Sequence, residues 1–80
     1  MDKLARAQHA QRILDDDVVQ EAFSVVLRYH TSVFEDATAT DEKVLEARRM
    51  FHALNSVQKQ LRSFVNDGKI IEKGQDRASD

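Results

Sequence analysis

The sequence predicts an all-α fold, an antiparallel helical hairpin with an additional N-terminal helix, and three observations predict it. From Asp41 to Asn66 apolar side chains recur at helical spacing with no Gly or Pro, and the run closes on Asp67-Gly68. A second run with the same period extends from Asp17 to Phe34. The chain has 80 residues, no Cys or Pro and two Gly, so disulfides and thiolate metal sites are excluded and few positions break a helix. Hydrophobic content of 41% against 32% charged residues suits a folded, helix-rich chain.

The first helix is expected over about 3–14. Leu4, Ala7, Ala10 or Gln11, and Leu14 share a stripe, with Ile13 beside it and Arg6, His9 and Arg12 pointing elsewhere. Asp15-Asp16-Asp17 then supplies acids suited to capping the next helix, and Asp17 with Gln20 has capping-box spacing. The second helix is expected over about 17–34. It carries Val19, Ala22, Val26, Tyr29 and Val33 at alternating steps of three and four, flanked by Phe23, Leu27, His30 and Phe34. A stripe this wide faces more than one neighbour. Its valines weaken intrinsic helix preference, so packing must compensate.

The third helix is expected over about 41–66, with Thr40 as N-cap and Asp41 and Glu42 in the favourable first turn. Its seam reads Ala47, Phe51, Leu54, Gln58, Leu61 and Val65, widened by Val44, Met50, Val57 and Phe64. Gly68 is expected to supply a left-handed cap, with Ile70 and Ile71 folding back over the helix end. Residues 1–73 are thus read as one helical domain and 74–80 as a disordered tail.

At ~1.5 Å per residue the third helix is roughly 39 Å long and the second about 27 Å, so a hairpin leaves about a third of the long helix uncovered. Either the first helix runs back along that overhang or the overhang pairs with another copy. Both arrangements bury Phe64 and Val65.

No constellation for catalysis emerges, and no enzyme, cofactor or metal site is expected. His9, His30 and His52 fall one on each helix without an H-E-x-x-H motif, and are read as one solvated and two half-buried imidazoles. His30 and His52, if they meet across the hairpin, would make assembly pH-sensitive. The acids at 15–17 and 35–36 suit capping better than magnesium, because Gly68 and Gly74 alone cannot form a phosphate-cradling loop. The serines sit in no nucleophile elbow.

Net charge of −2 argues against a general nucleic-acid binder. Arg48, Arg49, Lys59 and Arg62 lie largely off the apolar stripe and are the candidates for any nucleic-acid contact. Glu42 and Glu46 on the same helix partly cancel their field, and no helix-turn-helix glycine turn is present. No apolar stretch approaches the ~18–20 residues that cross a bilayer, and Met1 to Arg6 lacks the apolar core of a signal peptide.

Two stretches carry a family resemblance. Ala5-Arg6-Ala7-Gln8-His9-Ala10-Gln11-Arg12-Ile13-Leu14-Asp15-Asp16 runs into Gln20-Glu21-Ala22-Phe23, and Leu54-Asn55-Ser56-Val57-Gln58-Lys59-Gln60-Leu61 runs into Asp67-Gly68-Lys69. Together they resemble small α-helical proteins of tailed bacteriophages encoded among head, portal and packaging genes, usually without an assigned activity. The resemblance spans about Ala5 to Lys69 and departs from the Trp-rich and Arg-rich middle of those proteins at Tyr29 to Thr40. It implies a role in a virion or its assembly, in the host cytoplasm or the particle, with no catalytic residue to carry over.

The expected function is accordingly that of a small structural or assembly protein acting through protein–protein packing or self-association, with no membrane partner. Val19, Phe23, Val26, Phe51, Leu54, Leu61, Phe64 and Val65 are its expected packing and association surface. The alternative is a binding module that regulates a host or viral enzyme or a DNA-packaging motor.

Overall fold

In a computed structural model that describes residues 2–79, and the side chains of residues 2–74, the chain is all-α. Among the described residues the elements are α1 (Lys3–Asp15), α2 (Asp17–Glu35) and α3 (Asp41–Ser79). The expected disordered tail, 74–80, falls almost wholly on residues whose side chains lie outside the described ones.

Local chemistry sets most boundaries. Asp2 caps α1 by accepting the Ala5 amide at 2.8 Å. Asp16 leaves the helix with an extended ψ of 115° while its N–H still donates to the Ile13 carbonyl. The two helices on either side of it are therefore separate. α2 ends where the Asp36 amide donates to the Val33 carbonyl. Just upstream the Thr31 hydroxyl bonds the Leu27 carbonyl and the Ser32 hydroxyl the Tyr29 carbonyl, side-chain competition that weakens a helix in its last turns.

Asp36 then folds the connection: its Oδ1 accepts the Thr38 amide at 2.9 Å and the Thr38 hydroxyl at 2.6 Å. Thr40 caps α3 as expected, accepting the Lys43 amide at 3.2 Å.

The end of α3 differs from the expectation at 66. The helix runs through Asp67-Gly68 to Ser79, and no glycine has a positive φ, so Gly68 is not a left-handed cap. Ile70 and Ile71 continue the helix rather than folding back, and Ile70 is exposed. Gly68 is instead a close-approach position. A Cβ built there would overlap the Cβ of Ala7. Its missing side chain lets α1 lie against α3, which offsets the cost of about 1 kcal/mol that a mid-helix glycine carries.

The chain divides into two compact units. One comprises Met1–Asp16 with Gln58–Asp80, where α1 runs back along the second half of α3. Ala7 and Ala10 are its buried side chains, Leu4 shares a crevice with Val65 and Glu72, and Ile13 shares one with Leu61. Arg6, expected to point elsewhere, lies over the Phe64 ring at 4.1 Å and reaches Asp67 at 3.8 Å. This places α1, rather than another copy, on the overhang, with Phe64 and Val65 half-buried.

The other unit, Asp17–Val57, is the antiparallel hairpin of α2 with the first half of α3. Ala47 is buried on its seam, and Phe34 meets Phe51 edge to face at 6.3 Å. Val19, Phe23, Leu27, His30, Val33, Val44 and Leu54 are half-buried.

Candidate interaction faces

Burial shows what these helices leave open. Among the described residues the buried apolar side chains are Ala7, Ala10 and Ala47, and no large side chain is fully buried. Val18, Val25, Val26, Tyr29, Phe34, Leu45, Met50, Val57 and Ile70 are exposed. Single exposed apolar residues are ordinary, but a contiguous row of them is not.

In the hairpin unit the row lies on α2. The covered edge is Val19, Phe23, Leu27, His30 and Val33. The middle of the expected stripe, Ala22, Val26 and Tyr29, is exposed. α3 therefore covers one side of a wide apolar surface and leaves the other in solvent. On α3, Met50 and Val57 lie seven residues apart and are exposed in the same unit, so the expected widening of that seam leaves them uncovered.

The expected association residues fall in both units. Val19, Phe23, Phe51 and Leu54 are half-buried in the hairpin, and Val26, on α2 of the same hairpin, is 39% exposed. Leu61, Phe64 and Val65 are half-buried in the other unit, beside α1. Val18 and Val25 lie outside the expected stripe, which is centred on Val19 and Val26. The stripe's width was the signal that could have found them.

The basic residues Arg48 and Arg49 are exposed and line an open surface with Leu45, His52, Ala53 and Ser56. Lys59 and Arg62 are exposed in the other unit, where Arg62 donates to Gln58 Oε1 at 3.4 Å. Gln58 is thereby given a partner at its half-buried position on the seam.

Of the histidines, His30 is half-buried with its ring edge-on to Tyr29, and His9 is exposed. His52 is exposed against the edge of Phe51, contrary to the half-buried expectation, because its position on α3 lies away from the α2 side. His30 lines a groove with Asp36, Lys43 and Glu46, whereas His52 belongs to the surface of Arg48 and Arg49. Among the described residues no three side chains of His, Asp or Glu converge to hold a metal ion. The Thr38 hydroxyl, then the Thr38 amide, and to a lesser degree the charge of Lys43, hold the Asp36 carboxyl below the usual aspartate value.

No helix among the described residues is long and apolar enough to cross a membrane. Comparison of the chain with protein-family models, with curated protein sequences and with solved structures finds no match.

Proposed function

We propose that this chain is a small non-enzymatic helical packing protein that works by joining protein surfaces, in the host cytoplasm or in the particle of a tailed bacteriophage. One observation carries the packing role: the buried apolar side chains among the described residues are alanines, while α2 presents large apolar side chains to solvent. A chain of this size has little core to spare, and association is a standard way for it to cover the remainder. The phage setting rests on the resemblance of the segments around Ala5–Phe23 and Leu54–Lys69.

The test is thermal unfolding followed by circular dichroism over a hundredfold range of protein concentration, paired with mass from light scattering. A packing protein that pairs with itself melts higher as concentration rises. One that needs a foreign surface is a monomer with a broad, low-temperature transition. A monomer with a sharp, concentration-independent transition above about 70 °C overturns the reading, since such a chain already has all the packing it requires.

A second reading is favoured by a different observation, the exposed pair Arg48 and Arg49 beside His52. It makes the chain a binding module for a packaging motor or an enzyme, touching DNA through Arg48 and Arg49. Duplex DNA affinity that falls steeply with salt supports it, and no binding at low salt removes its DNA contact.

A further inference from the structure

α2 carries two apolar faces, and the hairpin uses one of them. The other, Val18, Ala22, Val25 and Tyr29, repeats at steps of four, three and four, the spacing of a coiled-coil seam. It is open along its length: Val18 is 74% exposed, Val25 51% and Tyr29 67%.

The charges bordering this row select what fits it. Glu21 and Arg28 each stand one residue before a member of the row, so they flank it on the same side, one heptad apart. Glu21 has Asp17 four residues before it, a like-charge spacing that disfavours an isolated helix, and no cation three or four residues away. Arg28 has no acid at those spacings either, and its Nε donates to the Ser24 carbonyl at 3.3 Å. Neither charge finds its complement at helical spacing within α2.

We infer, building on the packing role proposed above, that this face binds the same face of a second copy, with the two α2 helices antiparallel about a two-fold axis between Phe23 and Ser24. That register sets Val18 against Tyr29 of the second copy and Ala22 against its Val25, a larger residue beside a smaller one at each layer. It also brings Glu21 of each copy opposite Arg28 of the other, and symmetry makes the pair twice. Parallel pairing would set Glu21 against Val26 and Arg28 against Val33, where neither charge gains a partner. The charge pattern therefore chooses both the occupant and its direction. A seam of about three turns buries on the order of 800–1,000 Å² over both copies, below the standard size for a permanent complex. The dimer is accordingly a reversible one, with a dissociation constant in the micromolar range or weaker.

The test is sedimentation equilibrium of the full chain and four variants. Val25→Glu, at an exposed position, is expected to abolish the dimer while leaving helix content unchanged. Glu21→Arg and Arg28→Glu are each expected to weaken it about tenfold by replacing two attractions with two repulsions. The double variant Glu21→Arg/Arg28→Glu, which re-creates the pairs with reversed sign, is expected to restore it to within about threefold of the parent. Rescue is specific to this register, since Glu21 and Arg28 are seven residues apart on one helix. A dimer untouched by Val25→Glu, or not rescued by the double variant, overturns this surface and leaves the packing role standing. A monomer with a broad transition overturns self-pairing and leaves a foreign partner, whereas a monomer with a sharp one overturns both.

Discussion

The two units solve the same problem, covering α3, with a different balance of small and large side chains. Along the second half of α3 small groups set the closest approach: Ala7, Ala10 and Gly68 let α1 lie near, beside the half-buried Leu4, Ile13, Leu61 and Val65, and the reach of Arg6 over Phe64 toward Asp67 closes one side. Along the first half Ala47 is buried among larger side chains, Phe23, Leu27, Val33 and Phe51, which are half-buried. Close approach excludes solvent with little apolar area but tolerates no added volume. Large side chains bring more area and leave edges exposed. The second arrangement leaves Val18, Val25 and Tyr29 of α2 exposed.

The comparison breaks most sharply at the two glycines, which occupy the same helix in opposite surroundings. Replacing a helical glycine with a residue bearing a side chain ordinarily stabilises by up to about 1 kcal/mol. At Gly74 nothing lies within 4 Å of an added Cβ, so Gly74→Ala is expected to give a small stabilisation. At Gly68 the added group meets the Cβ of Ala7, which has no rotamer to yield, so the backbone must separate. Gly68→Val is expected to cost a net ~2–3 kcal/mol and to speed amide exchange throughout α1, with α2 unaffected. Denaturant unfolding and hydrogen exchange read both effects. Stabilisation by Gly68→Val would show that α1 is not docked closely.

Phe51→Ala probes the other unit. It removes a half-buried ring and its edge contact with Phe34, and the expected loss is about 2 kcal/mol, less than for a fully buried phenylalanine. Amide exchange should accelerate in α2 this time and stay slow in α1. Equal acceleration in both helices would mean that the units do not differ in the way their packing implies.

What the sequence made legible follows the range of the interaction responsible. The Thr40 cap depends on residues within one turn, and it was readable as a short pattern. So was the seam of α3, since Ala47, Phe51, Leu54, Gln58, Leu61 and Val65 are all buried or half-buried. At Gly68 the local signal, an Asp-Gly after a long apolar run, is the same for a helix stop and for a close crossing. What separates them is Ala7, some sixty residues away, which no local window contains. Arg6 failed similarly: a cation beside an apolar stripe reads as solvated until an aromatic ring is brought beneath it. On α2 the pattern showed a stripe wider than one neighbour needs, but periodicity cannot say which edge the neighbour takes. The structure gives that edge to Val19, Phe23 and Leu27, leaving the row that ends at Tyr29 as the candidate site.

The smallest effect lies in the turn that joins the two helices of the hairpin. Asp36 accepts both the hydroxyl and the amide of Thr38, and these bonds favour its ionised form. A carboxyl whose folded value is depressed contributes fully above its unfolded value, and the contribution is lost as pH falls through the folded one, here below about pH 4. The turn should therefore be indifferent to pH near neutrality and loosen only in acid. Thr38→Val removes the hydroxyl, the larger cause, and keeps the amide, so an NMR titration should find the Asp36 midpoint moved up toward the ordinary aspartate value without reaching it. An unmoved midpoint would assign the depression to the amide and to Lys43 instead. The hairpin would then owe its turn to backbone geometry, and the hydroxyl of Thr38 would add nothing to the fixing of α2 against α3.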